Sequence, residues 1–171
     1  LGMSRGLGDV YKRQAYAMTG WRVGYIGAPE WIAKACTKLQ GQTTSGTNCI
    51  AQRAAITALK SPLSKIKYMI DEFNFRRNRI LDLIKDIDGF KINRPKGAFY
   101  VFPDISNFFG KSINGTKIKN ATDFSLFLLE KANVATVTGD AFGCPNNIRI
   151  SYAASLEKIE DALNRIKNVL N

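Results

Sequence analysis

Arg22 and Arg149 are the two residues of this chain whose chemistry best suits the binding of an anion. Arg22 lies in the apolar run WRVGYI, and a buried charge without a partner is costly. A planar guanidinium can meet that need with a phosphate or with any carboxylate, through charge-assisted hydrogen bonds. Arg149 stands between Ile148 and Ile150, which by itself is the pattern of a strand arginine that points outward.

Several other kinds of active site are excluded by residue types that are missing or widely spaced. The chain has no histidine, so it holds no Ser-His or Cys-His nucleophilic pair and no His-ligated metal. Its three cysteines are odd in number and form no C-x-x-C, which predicts reduced thiols and no zinc site. The chemistry that remains is that of lysine, arginine, tyrosine and carboxylates.

The net charge is +11, from 25 Lys+Arg against 14 Asp+Glu. A nucleic-acid surface gathers such charges on one face, whereas here they are spread along the whole chain. We interpret them as solvated surface and predict no nucleic-acid partner. A hydrophobic share of 45% is enough for a buried core, and no apolar run approaches the roughly 18 residues of a membrane span. We therefore expect no membrane partner and a cytoplasmic location.

Arg22 is predicted to lie on a buried strand over residues 21–26, bounded by glycines. Helices are expected to follow over 30–39 and 50–59, the second capped by Thr47 or Asn48. A long helix over 63–87 follows the 3.6-residue period and ends at Gly89.

Arg149 is predicted to lie on a strand over residues 148–153, within an alternation of strands and helices. Two further strands are expected over 98–102 and 134–137. One helix is expected over 123–131 with Thr122 as its N-cap, and a last helix is expected to start from Ser155. The fold class is α/β.

The chain is predicted to contain three parts. Residues 1–14 show no hydrophobic periodicity and join abruptly to well-patterned sequence, so we expect a leader that is foreign to the fold and artefactual in origin. Residues 15–60 are expected to form the end of a larger α/β domain, and residues 61–171 a compact small domain.

The stretch AYAMTGWRVGY, residues 15–25, resembles the segment after the cofactor-binding lysine in fold-type I pyridoxal phosphate enzymes, class I aminotransferases above all. The usual family pattern is S-K-x-Y-x-M-T-G-W-R-x-G-Y. Gln14 occupies the position of the lysine that forms the Schiff base, and Arg13 that of the serine. The resemblance therefore assigns no catalytic residue within this chain.

The same resemblance implies roles for both arginines. Arg22, in T-G-W-R, matches the family arginine that contacts the cofactor phosphate. Arg149, in N-I-R-I-S-Y-A, matches the arginine that grips the substrate α-carboxylate. The preceding T-G-D-A-F-G resembles the family turn P-G-x-x-F-G, with Thr138 in place of the proline. Residues 42–52 resemble a family loop that lies near the partner's cofactor, although a loop and helix cap would explain its hydroxyls equally well.

These motifs cover about residues 15 to 171, and their residues most resemble those of bacterial aspartate aminotransferases. The resemblance implies the C-terminal end of a PLP-binding large domain followed by the α/β small domain. It implies pyridoxal 5'-phosphate as cofactor, an amino acid and a 2-oxo acid as substrates, and a homodimeric parent. Because this chain lacks the lysine and most of the family's cofactor pocket lies upstream, we expect this polypeptide alone to be inactive.

Two alternatives remain open. The same scaffold could carry out other pyridoxal phosphate chemistry, such as that of a β-lyase or a decarboxylase. The chain could also be a non-catalytic basic domain in which glutamine has truly replaced the lysine. The sequence leaves open which amino acid is the substrate and whether residues 1–14 are genuine.

Overall fold

The structure is a computed structural model that describes residues 16–170. The chain divides into two compact units, one ending at Lys67 and the next beginning at Tyr68. Each unit has a hydrophobic core of its own. The assignment of residues 15–60 and 61–171 to the large and small domains of the family stays a prediction.

The described part of the first unit contains two helices, α1 (Glu30–Thr43) and α2 (Cys49–Lys60), and two 3₁₀ turns, Thr19–Trp21 and Leu63–Ile66. Both predicted helices are present, and α1 continues to Thr43, four residues beyond its predicted end. Asn48 caps α2, because its side-chain oxygen accepts hydrogen bonds from the N–H of Ile50 at 2.8 Å and of Ala51 at 3.2 Å. The small core of the unit is formed by Met18, Val23 and Ala51.

The predicted strand over residues 21–26 is wrong. Residues 22–29 form neither helix nor strand, and Trp21, Tyr25 and Ile26 are each 45–47% exposed. A strand exists only through ladder hydrogen bonds to a neighbouring strand, and the described part of the first unit contains no other strand to supply them. The apolar run is therefore an irregular segment that buries Val23.

The second unit is organised around a three-stranded antiparallel sheet. The strands are β1 (Tyr100–Val101), β4 (Val137–Thr138) and β5 (Ile148–Ser151), in the order β1-β5-β4. Tyr100 pairs with Ser151, and Val137 pairs with Arg149. A separate hairpin joins β2 (Ser112–Ile113) to β3 (Thr116–Lys117). Strands are present at all three predicted places, but each is shorter or shifted.

Three helices complete the core: α3 (Lys67–Lys85), α4 (Ala121–Ala132) and α5 (Leu156–Leu170). The predicted long helix is divided, since residues Leu63–Ile66 form a 3₁₀ turn before α3. Ser155 precedes α5 as predicted, and its hydroxyl accepts a hydrogen bond from the N–H of Lys158 at 3.4 Å. The largest fully buried side chains are Tyr152, Phe124, Phe127, Ile80 and Ile84.

The N-cap of α4 is Asn120 and not Thr122. The Asn120 side chain accepts a hydrogen bond from the N–H of Asp123 at 2.8 Å, which leaves the Thr122 hydroxyl available for other partners. At the other end of α4, Asn133 adopts a left-handed conformation with φ 53°, and the N–H of Val134 bonds to the carbonyl of Leu128. This helix end occupies the start of the strand predicted over 134–137.

Neither a membrane span nor a metal cluster is found in residues 16–170. No helix there is both long and apolar enough to cross a bilayer, and no three His, Cys, Asp or Glu side chains are grouped to hold a metal ion. Cys36, Cys49 and Cys144 are free thiols on the surface, as predicted.

Gly139, directly after β4, is required by close backbone packing. A Cβ at this position would lie 2.0 Å from the carbonyl oxygen of Cys144 and 2.4 Å from that of Asn147. We expect Gly139→Ala to lower the free energy of unfolding by about 2–4 kcal/mol, because backbone has to move. Urea denaturation measures this loss. Gly97→Ala is the matched control, since a Cβ there has no atom within 4 Å; equal losses in the two variants would contradict the prediction.

Candidate functional site

Arg149 lies on the central strand β5, between two core residues. Ile148 is fully buried and Ile150 is 9% exposed, so alternation along the strand directs Arg149 to the opposite face of the sheet, as predicted. The Arg149 guanidinium carbon lies 4.4 Å from the ring centre of Tyr100 and 4.6 Å from that of Phe142. Both distances are within the range of cation–π attraction.

The two rings reach Arg149 by different routes. Tyr100 pairs with Ser151 across β1 and β5, so it shares a sheet face with Ser151 and with Arg149 two residues away. Phe142 is carried by the 3₁₀ turn Gly139–Phe142 that follows β4. Neither contact was predicted. The alternation of Phe99 and Tyr100 gave a signal for the first, but the second depends on the path of the turn.

The Arg149 guanidinium has no carboxylate partner in residues 16–170. None of the ion pairs in this part of the chain includes Arg149. Its guanidinium contacts the rings of Tyr100 and Phe142. Aromatic faces hold the plane of a guanidinium but do not use its N–H donors. Arg149 is thus a half-buried cation whose donors can meet a bidentate anion.

Thr138 shows why the turn before Arg149 can depart from the proline of the resembled pattern. Its φ is −59°, which lies within the range that a proline ring imposes. Its hydroxyl also caps the 3₁₀ turn by accepting a hydrogen bond from the N–H of Asp140 at 3.4 Å. The threonine therefore keeps the backbone direction of a proline and adds a polar contact.

Arg22 lies in the first unit, and its surroundings are not the buried strand that the sequence predicted. The residue is exposed, so the expected cost of a buried charge does not arise. It follows the turn Thr19–Trp21 with a left-handed backbone of φ 51°, and its guanidinium donates to the Thr19 carbonyl at 3.1 Å. Such a backbone is uncommon for a residue other than glycine. No carboxylate of the described residues pairs with Arg22.

An open cavity of about 550 Å³ lies beside Arg22. It is lined by residues of 17–22 and of 48–51, so the helix cap Asn48 lies on its wall. Two threonine hydroxyls of the adjoining loop have partners in α1: Thr43 donates to the Leu39 carbonyl, and Thr44 accepts from Gln40. The loop-and-cap interpretation therefore accounts for these hydroxyls.

A family model described as aminotransferase class I and II matches residues 14–166. The chain belongs to this family. It is 44% identical over 161 residues to a bifunctional aspartate aminotransferase and glutamate/aspartate-prephenate aminotransferase of Petunia hybrida, covering 92% of this chain and 34% of the relative. An aspartate aminotransferase of Pinus pinaster is 40% identical over 161 residues, covering 92% and 33%.

The fold is that of solved aminotransferases. The crystal structure of the aspartate aminotransferase from Rhizobium meliloti matches with a TM-score of 0.85 at 42% identity, over 92% of this chain and 40% of that one. The α/β class is thereby confirmed. The chain spans between a third and two fifths of the length of the relatives that it matches.

The cofactor of the class I and II aminotransferases is pyridoxal 5'-phosphate, and the surroundings of Arg22 fit its phosphate. The guanidinium borders an open cavity and donates one hydrogen bond to the Thr19 carbonyl, so further donors are available for an anion. Gln14, which the resemblance alone places at the family lysine, lies outside the described residues.

Tyr152, three residues after Arg149, belongs to the core of this aminotransferase unit and not to its exposed sheet face. Its side chain is 1% exposed, and its hydroxyl donates to the Ala98 carbonyl at 2.8 Å. Burial raises the pKa of Tyr152 above its ordinary value of 10.0, against the opposing charge of Arg77.

We expect Tyr152→Phe to remove a pH dependence as well as a hydrogen bond. The raised pKa of Tyr152 gives a contribution to stability that is complete below pH 10.0 and is lost as the pH rises through the folded-state pKa. The variant should lose about 1 kcal/mol at pH 7. Its free energy of unfolding, measured with urea from pH 8 upward, should then fall less steeply than that of the unaltered chain. Parallel curves would contradict this assignment.

Proposed function

We propose that this chain is the C-terminal part of a cytoplasmic, homodimeric aminotransferase that moves an amino group between aspartate and a 2-oxo acid. The observation that carries the proposal is Arg149, a half-buried guanidinium held by Tyr100 and Phe142 with no carboxylate partner among the described residues. Names of relatives support aspartate as the amino acid, because they are aspartate aminotransferases or aspartate-prephenate aminotransferases.

Arg149 binds the α-carboxylate of the substrate. The two rings limit the rotation of the guanidinium, and a carboxylate can accept two parallel N–H bonds from its free edge. Because the side chain is ordered before binding, less conformational entropy is lost when the substrate arrives. The bound carboxylate in turn fixes the position of the amino group that is to be transferred.

Arg22 binds the phosphate of the cofactor. Its permanent positive charge and remaining N–H donors suit a phosphate oxygen, and the cavity beside it provides access. When bound, pyridoxal phosphate supplies the electron-withdrawing ring that amino-group transfer requires. Arg22 acts only to retain and orient it.

Turnover by this protein requires residues beyond the 171 of this chain. Gln14 stands where the resemblance places the lysine, and the chain covers 33% to 40% of the relatives named above. We therefore propose that the isolated polypeptide is inactive. Mixed with pyridoxal phosphate, aspartate and 2-oxoglutarate, it should form oxaloacetate no faster than the same mixture without the protein. Turnover at the rate of a full-length relative would refute this.

We expect Arg149→Lys to lower kcat/KM for aspartate about 100-fold, because an ammonium cannot replace two parallel guanidinium bonds. The measurement uses a hybrid in which residues 15–170 replace the aligned segment of the Rhizobium meliloti enzyme. Arg79→Lys, which alters only a surface ion pair with Glu160, is the matched control and should retain activity. An active hybrid in which both variants behave alike, or one that releases ammonia or carbon dioxide instead of transferring the amino group, would contradict the proposal.

We expect Arg22→Ala in the same hybrid to raise the Kd for pyridoxal phosphate about tenfold, through loss of charge-assisted hydrogen bonds. An absorbance titration of the dialysed enzyme measures this constant. Arg53→Ala, an exposed arginine on α2 away from the cavity wall, is the matched control. The role of Arg22 is wrong if both variants retain the cofactor equally well.

A further inference from the structure

Two threonines and an aspartate form a hydrogen-bonded triangle beside the turn that carries Phe142. Thr138 donates to Oδ2 of Asp140 at 2.9 Å, and the hydroxyl of Thr122 lies 3.1 Å from the same oxygen. The two hydroxyl oxygens are 3.2 Å apart. A carboxylate only accepts hydrogen bonds, so both threonines can donate to it together, while Thr138 accepts from the N–H of Asp140.

We propose that Thr122, Thr138 and Asp140 are positioning residues that set Phe142 against Arg149 and thereby determine how tightly Arg149 binds a carboxylate. The inference rests on the proposed function for its last step only. The triangle joins three elements: Thr122 lies in the first turn of α4, Thr138 ends β4, and Asp140 lies in the 3₁₀ turn. It therefore fastens the turn to the helix beside it.

The rest of the turn is fixed through its backbone, but Phe142 is not fixed by burial. Gly139 bonds to the carbonyl of Asn147 at 2.7 Å, and Gly143 to that of Asp140 at 3.2 Å. Phe142 itself is 46% exposed, and its one ring contact besides Arg149 is with Phe102 at 5.9 Å. Because Phe142 is only partly covered, the direction of its ring depends on the conformation of residues 139–142 as well as on these contacts.

A change in the hydrogen bonds of the triangle alters Arg149 through the Phe142 ring. If the turn loosens, the Phe142 ring moves away from the guanidinium 4.6 Å distant, and Arg149 keeps only the Tyr100 contact. The free guanidinium then samples more rotamers, and a carboxylate must order it on binding. The charge of the site is unchanged by threonine substitutions, so any loss of affinity reports the order of the side chain.

The test uses Thr122→Val, which keeps shape and charge while removing one donor to Asp140. In the 171-residue chain, NMR records the ring-current shift of the Arg149 Nε–H signal and its titration with succinate. We expect the signal to move toward that of an unstacked arginine and the Kd for succinate to rise about fivefold, as for one lost hydrogen bond. Thr122→Ser restores the hydroxyl and should restore both values, which a purely steric role would not do.

Control variants distinguish the possible outcomes of this test. Thr116→Val, in the β2–β3 hairpin, is the matched control and should change neither value. If Thr122→Val does not fold, Thr138→Val makes the same test. An unchanged Arg149 signal and Kd in the valine variant would overturn the inference. If the unaltered chain binds no succinate, the ring-current shift alone decides whether the triangle positions Phe142, and the role of Arg149 is decided by Arg149→Lys in the hybrid enzyme.

Discussion

The pairing of β5 with strands on both sides is the constraint on which the second unit depends. Since β1 and β4 both bond to β5, this strand cannot rotate without breaking two ladders. Burial of Ile148 and Ile150 fixes which face is the core, and slipping by one residue would exchange the faces. The face of the sheet to which Arg149 points is therefore set by the hydrophobic effect acting on its neighbours, before any contact of its own side chain.

Given that orientation, aromatic rings hold the guanidinium better for this purpose than a carboxylate would. A cation–π contact at a partly exposed site is worth about 0.5–1 kcal/mol, similar to a surface ion pair. An internal carboxylate would occupy the same N–H donors that an incoming anion needs, so binding would require breaking the internal pair first. Tyr100 and Phe142 supply comparable stabilisation without a carboxylate, so no charged acceptor has to be displaced when an anion arrives.

The sequence predicted those features that depend on local pattern. Helices with a clear 3.6-residue period, the cap Ser155 and the outward direction of Arg149 are all decided within a few residues, and Asn48 is one of the two caps predicted for α2. Features that depend on distant partners were missed or misassigned. The apolar segment at 21–26 has the composition of a strand, but the described part of its unit contains no strand to pair with it. Thr122 is a residue type that often caps helices, but its hydroxyl is hydrogen-bonded to Asp140 and Thr138.

Because the chain has an excess of basic residues, Arg22 and Arg149 need features besides a missing ion pair to distinguish them from the other basic side chains. With a net charge of +11, many basic side chains must lack a carboxylate of their own, so an arginine without an ion pair is not by itself a sign of function. Arg149 is set apart because it is half-buried and immobilised by two rings. Arg22 is set apart by its left-handed backbone, a conformation that costs energy for a residue with a Cβ. An anion in the adjoining cavity would offset that cost, whereas Arg149 is ordered before any anion binds.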